Sequence, residues 1–437
     1  MSLVLFNTLG RRLQPFVPIV PGRVSLYTCG PTVYGFAHVG NFRTFLFEDL
    51  LRRWLEASGY EVFHVMNLTD VDDKTIRGAA AAGVPLKAHT APFIAAFHED
   101  RRWLRIRDAH AYPRATEFIA PMIALVERLL QLGIAYRGED GSIYFAIDRF
   151  PAYGRLSQLD RRELRTGASD RVSADEYAKE DARDFVLWKA ARPEDESVGA
   201  AWEAPFGRGR PGWHLECSAM ALDLVGQRFG LDELDIHAGG VDLIFPHHED
   251  EIAQSCAATG RDSFARYWLH GEFLQLRGAK MSKRFGNITT PRDLREDGDD
   301  PAAFRLLVFQ THYRQPLDLT DEGLGAAREG ARRLGAFAER LGREAAGRAG
   351  GPAVADLAGR LRREVAEALD DDLNAPRAVA ALFDFVREGN RLLDAGQGGP
   401  DLLEAWGWAD GILDVAASVS RHVVTLSDAA AAADEVS

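Results

Sequence analysis

The chain has 437 residues, and its 52 lysines and arginines against 65 aspartates and glutamates give a formal net charge of −13 at pH 7. This length allows two to four domains, and a hydrophobic content of 46% excludes a collagen-like or disordered chain. The acidic balance argues against a protein that coats DNA regardless of sequence, because such binding needs a basic surface. A local nucleic-acid site stays compatible, since a net charge conceals patches.

The lack of targeting signals and the small number of cysteines predict a reducing compartment. No stretch approaches the roughly 18 consecutive apolar residues of a membrane helix, and the start, MSLVLFNTLGRRLQ, lacks the features of a signal peptide. The three cysteines, Cys29, Cys217 and Cys256, are too few for a disulfide framework and favour a reducing compartment. We therefore expect a cytoplasmic monomer with neither membrane nor DNA as a partner.

The first 75 residues contain the clearest periodic pattern. Residues 24–28 predict a short strand that ends at Cys29, and the loop PTVYGFAHVGN follows it. A helix is predicted from Asn41, because apolar side chains recur at every fourth position, and Gly59 ends it. Residues 61–68 predict a second strand. A strand, a helix and a strand in this order form one βαβ unit of a parallel sheet.

The rest of the chain predicts an insertion, a return to the sheet and a helical end. Residues 110–205 mix helical pieces with charged loops, which indicates an insertion between two halves of an α/β core. A strand is predicted at 234–236 and a helix from near Pro246. From about residue 300 the pattern is helical, with an apolar seam at Leu324, Ala327, Ala331, Leu334, Ala338 and Leu341. The last eleven residues predict a frayed tail.

One set of residues suits a metal ion. His247 and Glu251 are four positions apart, so on a helix they lie on one face. Together with Cys29 and Cys217 they would give the thiolate, imidazole and carboxylate ligands of tetrahedral zinc. Nothing in the local sequence joins the two cysteines, and a buried cysteine is more often a small apolar side chain. His248 and Asp250 are competing ligands on the same predicted helix, and Cys256 is a spare cysteine.

Two further segments suit phosphate chemistry. His38, Gly40 and Asn41 lie at the start of the first predicted helix, where free N–H groups favour an anion, although an ordinary helix entry is an alternative. Lys280 and Lys283 bracket Met-Ser in a loop-like segment, where lysines can neutralise charge on a leaving pyrophosphate. A solvated basic turn is the alternative for that loop.

Two other patterns are weaker. Residues 207–212 fit G-x-G-x-x-G, but they contain a proline and follow no strand of a βαβ unit, so they are a poor dinucleotide-binding signal. Asp70, Asp72 and Asp73 suggest a magnesium site, but a charged loop that caps the next helix is the preferred interpretation.

Taken together, these segments resemble the cysteinyl-tRNA synthetase family of class I aminoacyl-tRNA synthetases. The resemblance covers about residues 2–394 and is carried by LYTCGPTVYGFAHVGNFRTF, NLTDVDDKTI, DFVLWK, GRPGWHLECSAM, DIHAGGVDLIFPHHEDEIAQS, KMSKRFGNITTPRDL and DDDLNAPRAVAALFDFVREGNRL. The zinc cluster and GWHLECSAM are specific to the cysteine enzymes. HVGN and KMSK by themselves indicate only a class I synthetase.

The resemblance implies a role for each matching residue. One zinc ion per chain would be held by Cys29, Cys217, His247 and Glu251 and would bind the thiolate of the cysteine substrate. Thr69, Trp213 and His237 would shape the amino-acid pocket. ATP would be bound by His38, Gly40, Asn41, Gly239, Gly240, Asp242 and Lys283. The catalytic residues would be His38, Asn41, Lys280 and Lys283.

The implied reaction has two steps and no covalent nucleophile. The cysteine carboxylate attacks the α-phosphate of Mg-ATP, giving cysteinyl-adenylate and pyrophosphate, and the cysteine then passes to the terminal ribose of tRNA(Cys). Positioning and charge stabilisation supply most of the catalysis of the first step. ATP, L-cysteine and tRNA(Cys) are thus the expected partners, with Mg²⁺ accompanying ATP.

The implied architecture is an α/β catalytic domain with a Rossmann-like parallel sheet at 1–255, carrying a connective insertion at about 110–205. A stem-contact segment with the KMSK loop follows at 256–315, and a helical bundle with an acidic tail at 316–437. The chain is expected to lack the family's C-terminal anticodon-reading region, because residues 401–437 match none of it and are acidic.

Two alternatives to a synthetase stay open. A cysteine ligase of mycothiol biosynthesis has a similar core but passes the adenylate to a small aminosugar, although the CGPTVYGFAHVGNFR segment is closer to the synthetases. A non-catalytic module that binds tRNA or cysteine is the other alternative. The intact HVGN, KMSK and four-residue metal set argue against that module.

Overall fold

The computed structural model describes residues 3–158, 184–276, 279–280, 288–345, 347–348 and 350–418, with the side chains of 279 and 280 left out. These residues form two compact units. One comprises residues 4–102 and 106–273, and the other comprises residues 3, 103–105 and those from 274 onward. Within the described ranges, no helix is both long and apolar enough to cross a bilayer. The functional division expected at residues 255 and 315 stays a prediction.

The first unit is an α/β structure. Its strands are β1 (Val4–Asn7), β2 (Arg12–Pro15), β3 (Arg23–Thr28), β4 (Glu61–Met66), β5 (Ala135–Arg137), β6 (Ile143–Phe145), β7 (Phe185–Ala190), β8 (Gly209–Pro211), β9 (Leu234–Gly240) and β10 (Ala265–Gly271). Its helices are α1 (Val39–Ala57), α2 (Asp73–Ala82), α3 (Leu86–Trp103), α4 (Ile119–Gln131), α5 (Pro193–Val198), α6 (Trp213–Phe229) and α7 (Glu249–Thr259).

A four-stranded parallel sheet forms the centre of this unit, as the sequence predicts. The strand order is β10-β9-β3-β4, and every neighbouring pair is parallel. β3 therefore has its successor β4 on one side and the later strand β9 on the other. In open sheets, ligands bind at such a reversal of strand order, outside the carboxyl ends of the strands. The carboxyl ends of β3 and β9 are thus where a site is expected.

The predicted βαβ unit is confirmed, and its helix is buried along the expected stripe. Helix α1 runs for 19 residues between β3 and β4, and Phe42, Leu46, Leu50 and Trp54 are each at most 4% exposed. Helix α2 has Asp72 as its N-cap, because the Asp72 side chain accepts a hydrogen bond from Lys74 N at 2.7 Å. The aspartates at 70–73 therefore include a helix cap, which is the preferred interpretation from the sequence.

The insertion forms a separate antiparallel sheet with the order β5-β6-β7-β8. Residues 209–211 of the G-x-G-x-x-G match are strand β8, paired with β7, and do not form a loop between a strand and a helix. A Cβ at Gly209 would lie 2.1 Å from the Lys189 carbonyl oxygen, so only glycine fits there. The match is consequently a feature of strand pairing.

Buried charges connect the insertion to α2. Lys189 Nζ lies 2.8 Å from Asp73 Oδ2, and Arg210 pairs both with Asp73 and, at 2.9 Å, with Asp195. Lys189, Arg210 and Asp195 are each less than 5% exposed. Burial alone would raise the pKa of Asp73, but the two cations outweigh burial and lower that pKa to about 2.

The second unit is helical around a small sheet. Its strands are β11 (Leu274–Leu276), β12 (Ala279–Lys280) and β13 (Leu317–Leu319). Its helices are α8 (Pro291–Glu296), α9 (Pro301–Phe309), α10 (Asp321–Glu344), α11 (Pro352–Asp370), α12 (Ala375–Asp394) and α13 (Pro400–Leu413). The predicted seam of α10 is buried except for the half-buried Ala338. The last eleven residues lie outside the described part of the chain.

A buried arginine joins three parts of this second unit. Arg305 of α9 has no exposed surface and donates hydrogen bonds to the Leu104 carbonyl at 3.0 Å and the Leu413 carbonyl at 3.1 Å. A guanidinium can satisfy several backbone carbonyls at once because its donors are fixed in one plane. The short segment 103–105 and the end of α13 are thereby held to α9.

We predict that Asp73→Asn lowers the free energy of unfolding of the first unit at neutral pH by about 1–2 kcal/mol, because two buried cations lose their shared partner. The loss is no larger because the Asp73 side chain is 36% exposed, so solvent screens its ion pairs. The pKa of Asp73 is lower in the folded chain, so its contribution is present above about pH 4 and lost as the pH falls towards 2. Urea unfolding of both proteins across this pH range measures the difference.

Asp232→Asn is the matched control, because Asp232 forms an exposed pair with Arg261 at 3.4 Å. That variant should unfold at nearly the same urea concentration as the unmodified chain. A stability difference for Asp73→Asn that does not change between pH 7 and pH 2 would contradict the ion-pair explanation.

Candidate metal and nucleotide site

The first metal candidate, Cys29, is held at the carboxyl end of β3. It belongs to the same buried cluster as Tyr27, Cys217, Ile252 and Trp268. Directly after it, Gly30 N donates to Asn67 Oδ1 at 2.9 Å, and a Cβ at Gly30 would lie 1.9 Å from the Asn67 carbonyl oxygen. Only glycine allows this approach, which fixes the path of the chain beyond Cys29.

The structure brings the four predicted ligands together from three segments of the chain. Cys29 Sγ lies 4.0 Å from the sulfur of Cys217, which is in the second turn of α6. His247 Nε2 lies 3.1 Å from Glu251 Oε1, so these two predicted ligands are in contact. One ligand atom from each of the four lies within 4.8 Å of the others, and all four residues are buried.

The helix that carries Glu251 begins later than predicted. Residues 244–248 form a wide turn in which Phe245 has extended backbone angles, and the regular helix α7 starts at Glu249. The carboxylate and imidazole nevertheless meet, because His247 and Glu251 stay on one side of this turn.

The structure shows which of the alternative metal ligands named from the sequence lie in the metal cluster. His248 belongs to a second possible ligand set with Cys29, His237 and Glu251, so it lies in the same cluster. Asp250 instead accepts a hydrogen bond from the hydroxyl of Tyr153. Cys256 accepts one from Arg155 Nη2 at 3.2 Å. Neither appears in a possible metal-binding group among the described residues.

Burial decides the charge of these groups. It lowers the pKa of His237 and of His247 to about 3, so both imidazoles are neutral at pH 7 and can act as ligands. It raises the pKa of the Cys29 thiol and raises that of Glu251 to about 8. Glu251 Oε1 is buried without a well-formed hydrogen bond, although it is next to His247. A cation would satisfy this oxygen and stabilise the thiolates, so the donor set fits a metal ion.

A chain of hydrogen bonds leads from Cys29 through two histidines. His248 Nε2 lies 3.3 Å from Cys29 Sγ, and His248 Nδ1 lies 2.8 Å from His270 Nε2. His270 Nδ1 in turn lies 2.7 Å from the hydroxyl of Thr8. If Thr8 donates, each imidazole has one fixed tautomer, and His248 presents an N–H to the sulfur of Cys29.

The predicted amino-acid pocket residues lie at or near this cluster. Trp213, the first residue of α6, stacks on the His247 ring with centroids 4.3 Å apart. His237 in β9 lies 2.9 Å from Glu251 Oε2 and stacks on Trp268. Thr69 is buried beyond β4, and its N–H bonds to the Pro31 carbonyl in the loop that follows Cys29.

The predicted nucleotide residues meet at the same edge of the sheet where the structure describes them. Asn41 N donates to His38 Nδ1 at 3.3 Å, and His38 N donates to Asn41 Oδ1 at 3.1 Å, which makes a reciprocal cap at the start of α1. Gly40 lies within this first turn. Gly239 and Gly240 end β9, and a Cβ at Gly240 would lie 2.6 Å from Asp242 Oδ1.

The lysine loop is mostly outside the described residues. The backbone of Lys280 belongs to strand β12, but its side chain is not described. Lys283 lies outside the described range altogether. Their catalytic roles therefore stay predictions.

Three residues of the cluster were missed by the sequence reasoning. They are Thr8 and His270 at the far end of the hydrogen-bond chain, and His214, whose Nδ1 lies 3.0 Å from His247 Nδ1. A usable signal did exist, because five of the 12 histidines fall between positions 214 and 270. No local pattern marks Thr8, which is 262 residues from its partner.

Comparison with known proteins agrees with this geometry. Residues 15–329 match the family described as tRNA synthetases class I (C) catalytic domain, and residues 364–408 match the DALR domain. A cysteine–tRNA ligase of Chlamydia pneumoniae is 51% identical over 90% of this chain and 81% of its own length. One from Protochlamydia amoebophila is 49% identical over 91% and 81%.

Solved structures of other synthetases share the fold at low identity. The methionyl-tRNA synthetase of Mycobacterium tuberculosis has a TM-score of 0.65 at 17% identity, over 90% of both chains. A putative arginyl-tRNA synthetase of Campylobacter jejuni has a TM-score of 0.61 at 13% identity, over 91% of this chain and 93% of its own. The fold and the catalytic-domain match thus define a class I aminoacyl-tRNA synthetase. Within that class, the chain belongs to the cysteine–tRNA ligase family.

We predict that His270→Phe weakens metal binding by about 10-fold or more while the fold is kept. The ring size is retained, but His248 loses the partner that fixes its tautomer towards Cys29. Titration of the metal-loaded protein with a chelator measures the affinity, and thermal unfolding checks the fold.

His98→Phe is the matched control, because His98 is a partly buried histidine packed against Tyr112 and takes no part in the hydrogen-bond chain. It should retain metal like the unmodified chain. Equal metal retention in both variants would refute a supporting role for His270.

Proposed function

We propose that the chain is an ATP-dependent cysteine–tRNA ligase, which activates L-cysteine as cysteinyl-adenylate and transfers it to tRNA(Cys). The observation that carries this proposal is the buried set of two thiols, an imidazole and a carboxylate beside Trp213, at the reversal of strand order in the parallel sheet. The relatives named cysteine–tRNA ligase support the same substrate pair. The match to the DALR domain favours tRNA over a small aminosugar as the acceptor.

We infer that the metal is zinc, one ion per chain, held by Cys29, Cys217, His247 and Glu251. Two thiolates with one imidazole and one carboxylate are ligands that zinc accepts in a tetrahedral site. Zinc bound there would accept the thiolate of cysteine as a fifth ligand more favourably than the hydroxyl of serine.

The protein's own side chains position the amino acid and exclude water. Trp213 covers the His247 ring, so one wall of the pocket is flat and apolar. His237 shares Glu251 with His247 and keeps the carboxylate in one orientation. Thr69 would line the opposite side through the loop after Cys29, to which its backbone is bonded. A site that depends on one polar contact can reject an analogue lacking that contact by about 10⁴-fold or more.

The ATP site of the proposal lies at the start of α1 and the end of β9. The reciprocal cap fixes His38 and Asn41 at a helix N-terminus, where the backbone dipole favours phosphate. The nucleotide would approach the backbone closely at Gly40, Gly239 and Gly240, because these residues lack a side chain. It would also be bound by Asp242. Lys280 and Lys283 would stabilise the charge that develops as pyrophosphate leaves, and Mg²⁺ would enter with ATP.

Two assays run together test the proposal. Cysteine-dependent exchange of pyrophosphate into ATP reports the first step, and attachment of labelled cysteine to tRNA reports the second. Both should be positive for the purified chain and negative when serine replaces cysteine. Exchange without charging would remove tRNA as the acceptor, and absence of both would refute the proposal.

Cys217→Ser should abolish stoichiometric zinc and lower cysteine-dependent exchange by at least about 100-fold, because a neutral hydroxyl is a poor zinc ligand. Cys256→Ser is the control, since that thiol is also buried but contacts Arg155 rather than the cluster. Zinc content by elemental analysis and exchange rates are measured on both. Normal exchange in a zinc-free Cys217→Ser protein would contradict the role assigned to the metal.

Lys280→Ala should slow adenylate formation by about 100-fold or more while cysteine affinity changes less than about threefold, since this lysine would act on the transition state. Lys87→Ala, at an exposed position of α3, is the control. Single-turnover kinetics separates the two quantities. A large loss of cysteine affinity with an unchanged rate would argue against the loop's assigned role.

A further inference from the structure

Tyr27 of β3 places a hydroxyl group beside the metal cluster. It lies two positions before Cys29, and the strand ladder continues that far, because Cys29 N donates to the Ala238 carbonyl at 3.1 Å. Side chains two apart in a strand point to the same face of a sheet. Tyr27 is directly opposite His237 of β9, and the two rings meet edge to face with centroids 5.1 Å apart. It has no exposed surface and shares a buried cluster with Cys29 and Cys217.

The hydroxyl of Tyr27 is buried without a well-formed hydrogen bond to any residue that the structure describes. A buried O–H group that bonds to nothing costs free energy, so its presence in a native fold requires an explanation. Burial first, and then the thiols of Cys217 and Cys29, raise the pKa of Tyr27 well above its ordinary value. The hydroxyl therefore keeps its proton at pH 7, and of the two sulfurs that of Cys217 acts on it more strongly.

The two metal-binding sulfurs differ in their hydrogen-bond donors. Cys29 Sγ has His248 Nε2 at 3.3 Å, and an N–H there can donate to a thiolate. In the described part of the chain, the Cys217 sulfur makes one well-formed polar contact, with Cys29 Sγ at 4.0 Å. Both sulfurs lose their protons when they bind a metal, so this contact then has no hydrogen to share. The thiolate of Cys217 is thus left in need of a donor.

The charge of the metal-loaded site makes such a donor important. Two thiolates and one carboxylate carry three negative charges, and a divalent ion balances two of them. All four ligands are buried, so water does not screen the remaining charge. The thiolate of a bound cysteine would add one more. Hydrogen bonds from neutral donors disperse this charge, and the loss of such a partner typically lowers metal affinity by about 10- to 100-fold.

We propose that Tyr27 is a positioning residue for the metal site, whose hydroxyl donates a hydrogen bond to the thiolate of Cys217 once the metal is bound. The proposal rests on the proposed function, because it concerns the metal that would bind the substrate thiol. The bond stabilises the thiolate and weakens its donation to the metal, which leaves the metal better able to accept the thiolate of cysteine.

Glu251 is the alternative acceptor for this hydroxyl, since its carboxylate also acts on Tyr27. The thiolate of Cys217 is favoured because the carboxylate already has a histidine against each of its oxygens. His237 Nε2 lies 2.9 Å from Glu251 Oε2, and His247 Nε2 lies 3.1 Å from Glu251 Oε1.

The test removes the hydroxyl and keeps the ring. Without metal, Tyr27→Phe should unfold at the same temperature as the unmodified chain or about 2–4 °C above it, because an unpaired buried hydroxyl is removed. The same variant should bind zinc about 10-fold more weakly in titrations with a chelator. These effects have opposite signs, whereas a loss of packing would weaken the fold with and without metal.

Cobalt(II) in place of zinc reports on the sulfur itself. A thiolate that loses a hydrogen bond gives up an electron more easily, so the thiolate-to-cobalt charge-transfer band of Tyr27→Phe should move to longer wavelength. Tyr144→Phe is the matched control, because the buried hydroxyl of Tyr144 in β6 donates to Asp140 at 2.8 Å, away from the metal ligands. That variant should keep its metal affinity within about twofold and leave the band unmoved.

The exchange assay connects this bond to the substrate. In Tyr27→Phe the KM for cysteine should rise about threefold or more, while the KM for ATP stays within about twofold, since the change lies at the metal. Failure of exchange in the unmodified chain would overturn the proposed function, and the metal affinity and the cobalt band would still decide the role of Tyr27.

Three results would overturn the inference. One is an unchanged metal affinity with an unmoved band in Tyr27→Phe. Another is a metal-free Tyr27→Phe protein that unfolds well below the unmodified chain, which would mean that the hydroxyl already has a partner within the protein. A weaker affinity with an unmoved band would assign the hydroxyl to Glu251 instead of Cys217.

Discussion

The burial of one carboxylate governs the structure around the site. Glu251 has no exposed surface, and two imidazoles lie against its two oxygens. A buried carboxylate is costly unless cations or hydrogen bonds compensate it, and here burial also keeps the neighbouring histidines neutral. Two thiols complete a donor set that fits a metal ion, which would stabilise the carboxylate and the thiolates together.

The order of strands explains why the site is where it is. β3 ends at Cys29, and β9 ends at the two glycines that precede the turn leading to His247. The two strands are neighbours in the sheet although more than 200 residues separate them in the chain. Helices α1 and α6 begin beside their ends, so a helix N-terminus, a thiol and an aromatic wall share one edge.

The second unit gathers four arginines along one groove although the chain as a whole carries a net charge of −13. Arginines of α10 and α12 line this groove, and the exposed acids Glu329 and Asp384 pair with two of them at 2.7 and 2.8 Å. The periodic apolar seam of α10 packs inward and leaves these arginines on the solvent side.

The sequence by itself determined the family, the βαβ unit, the buried stripe of α1 and the pairing of His247 with Glu251. Each of these depends on residues that are close in the chain, where a helical or strand period links spacing to position. The sequence also placed both cysteines in the metal set, although only through a resemblance.

Only the tertiary structure decided which competing groups belong to the site. The sequence offered His248 as a competing ligand and Cys256 as a spare, and the structure shows that His248 contacts Cys29 whereas Cys256 contacts Arg155. Thr8 and His270 joined the cluster from distant parts of the chain, and the arginines of two helices formed one groove. The physical reason is that side chains far apart in sequence meet only when strand order and helix packing bring their backbones together.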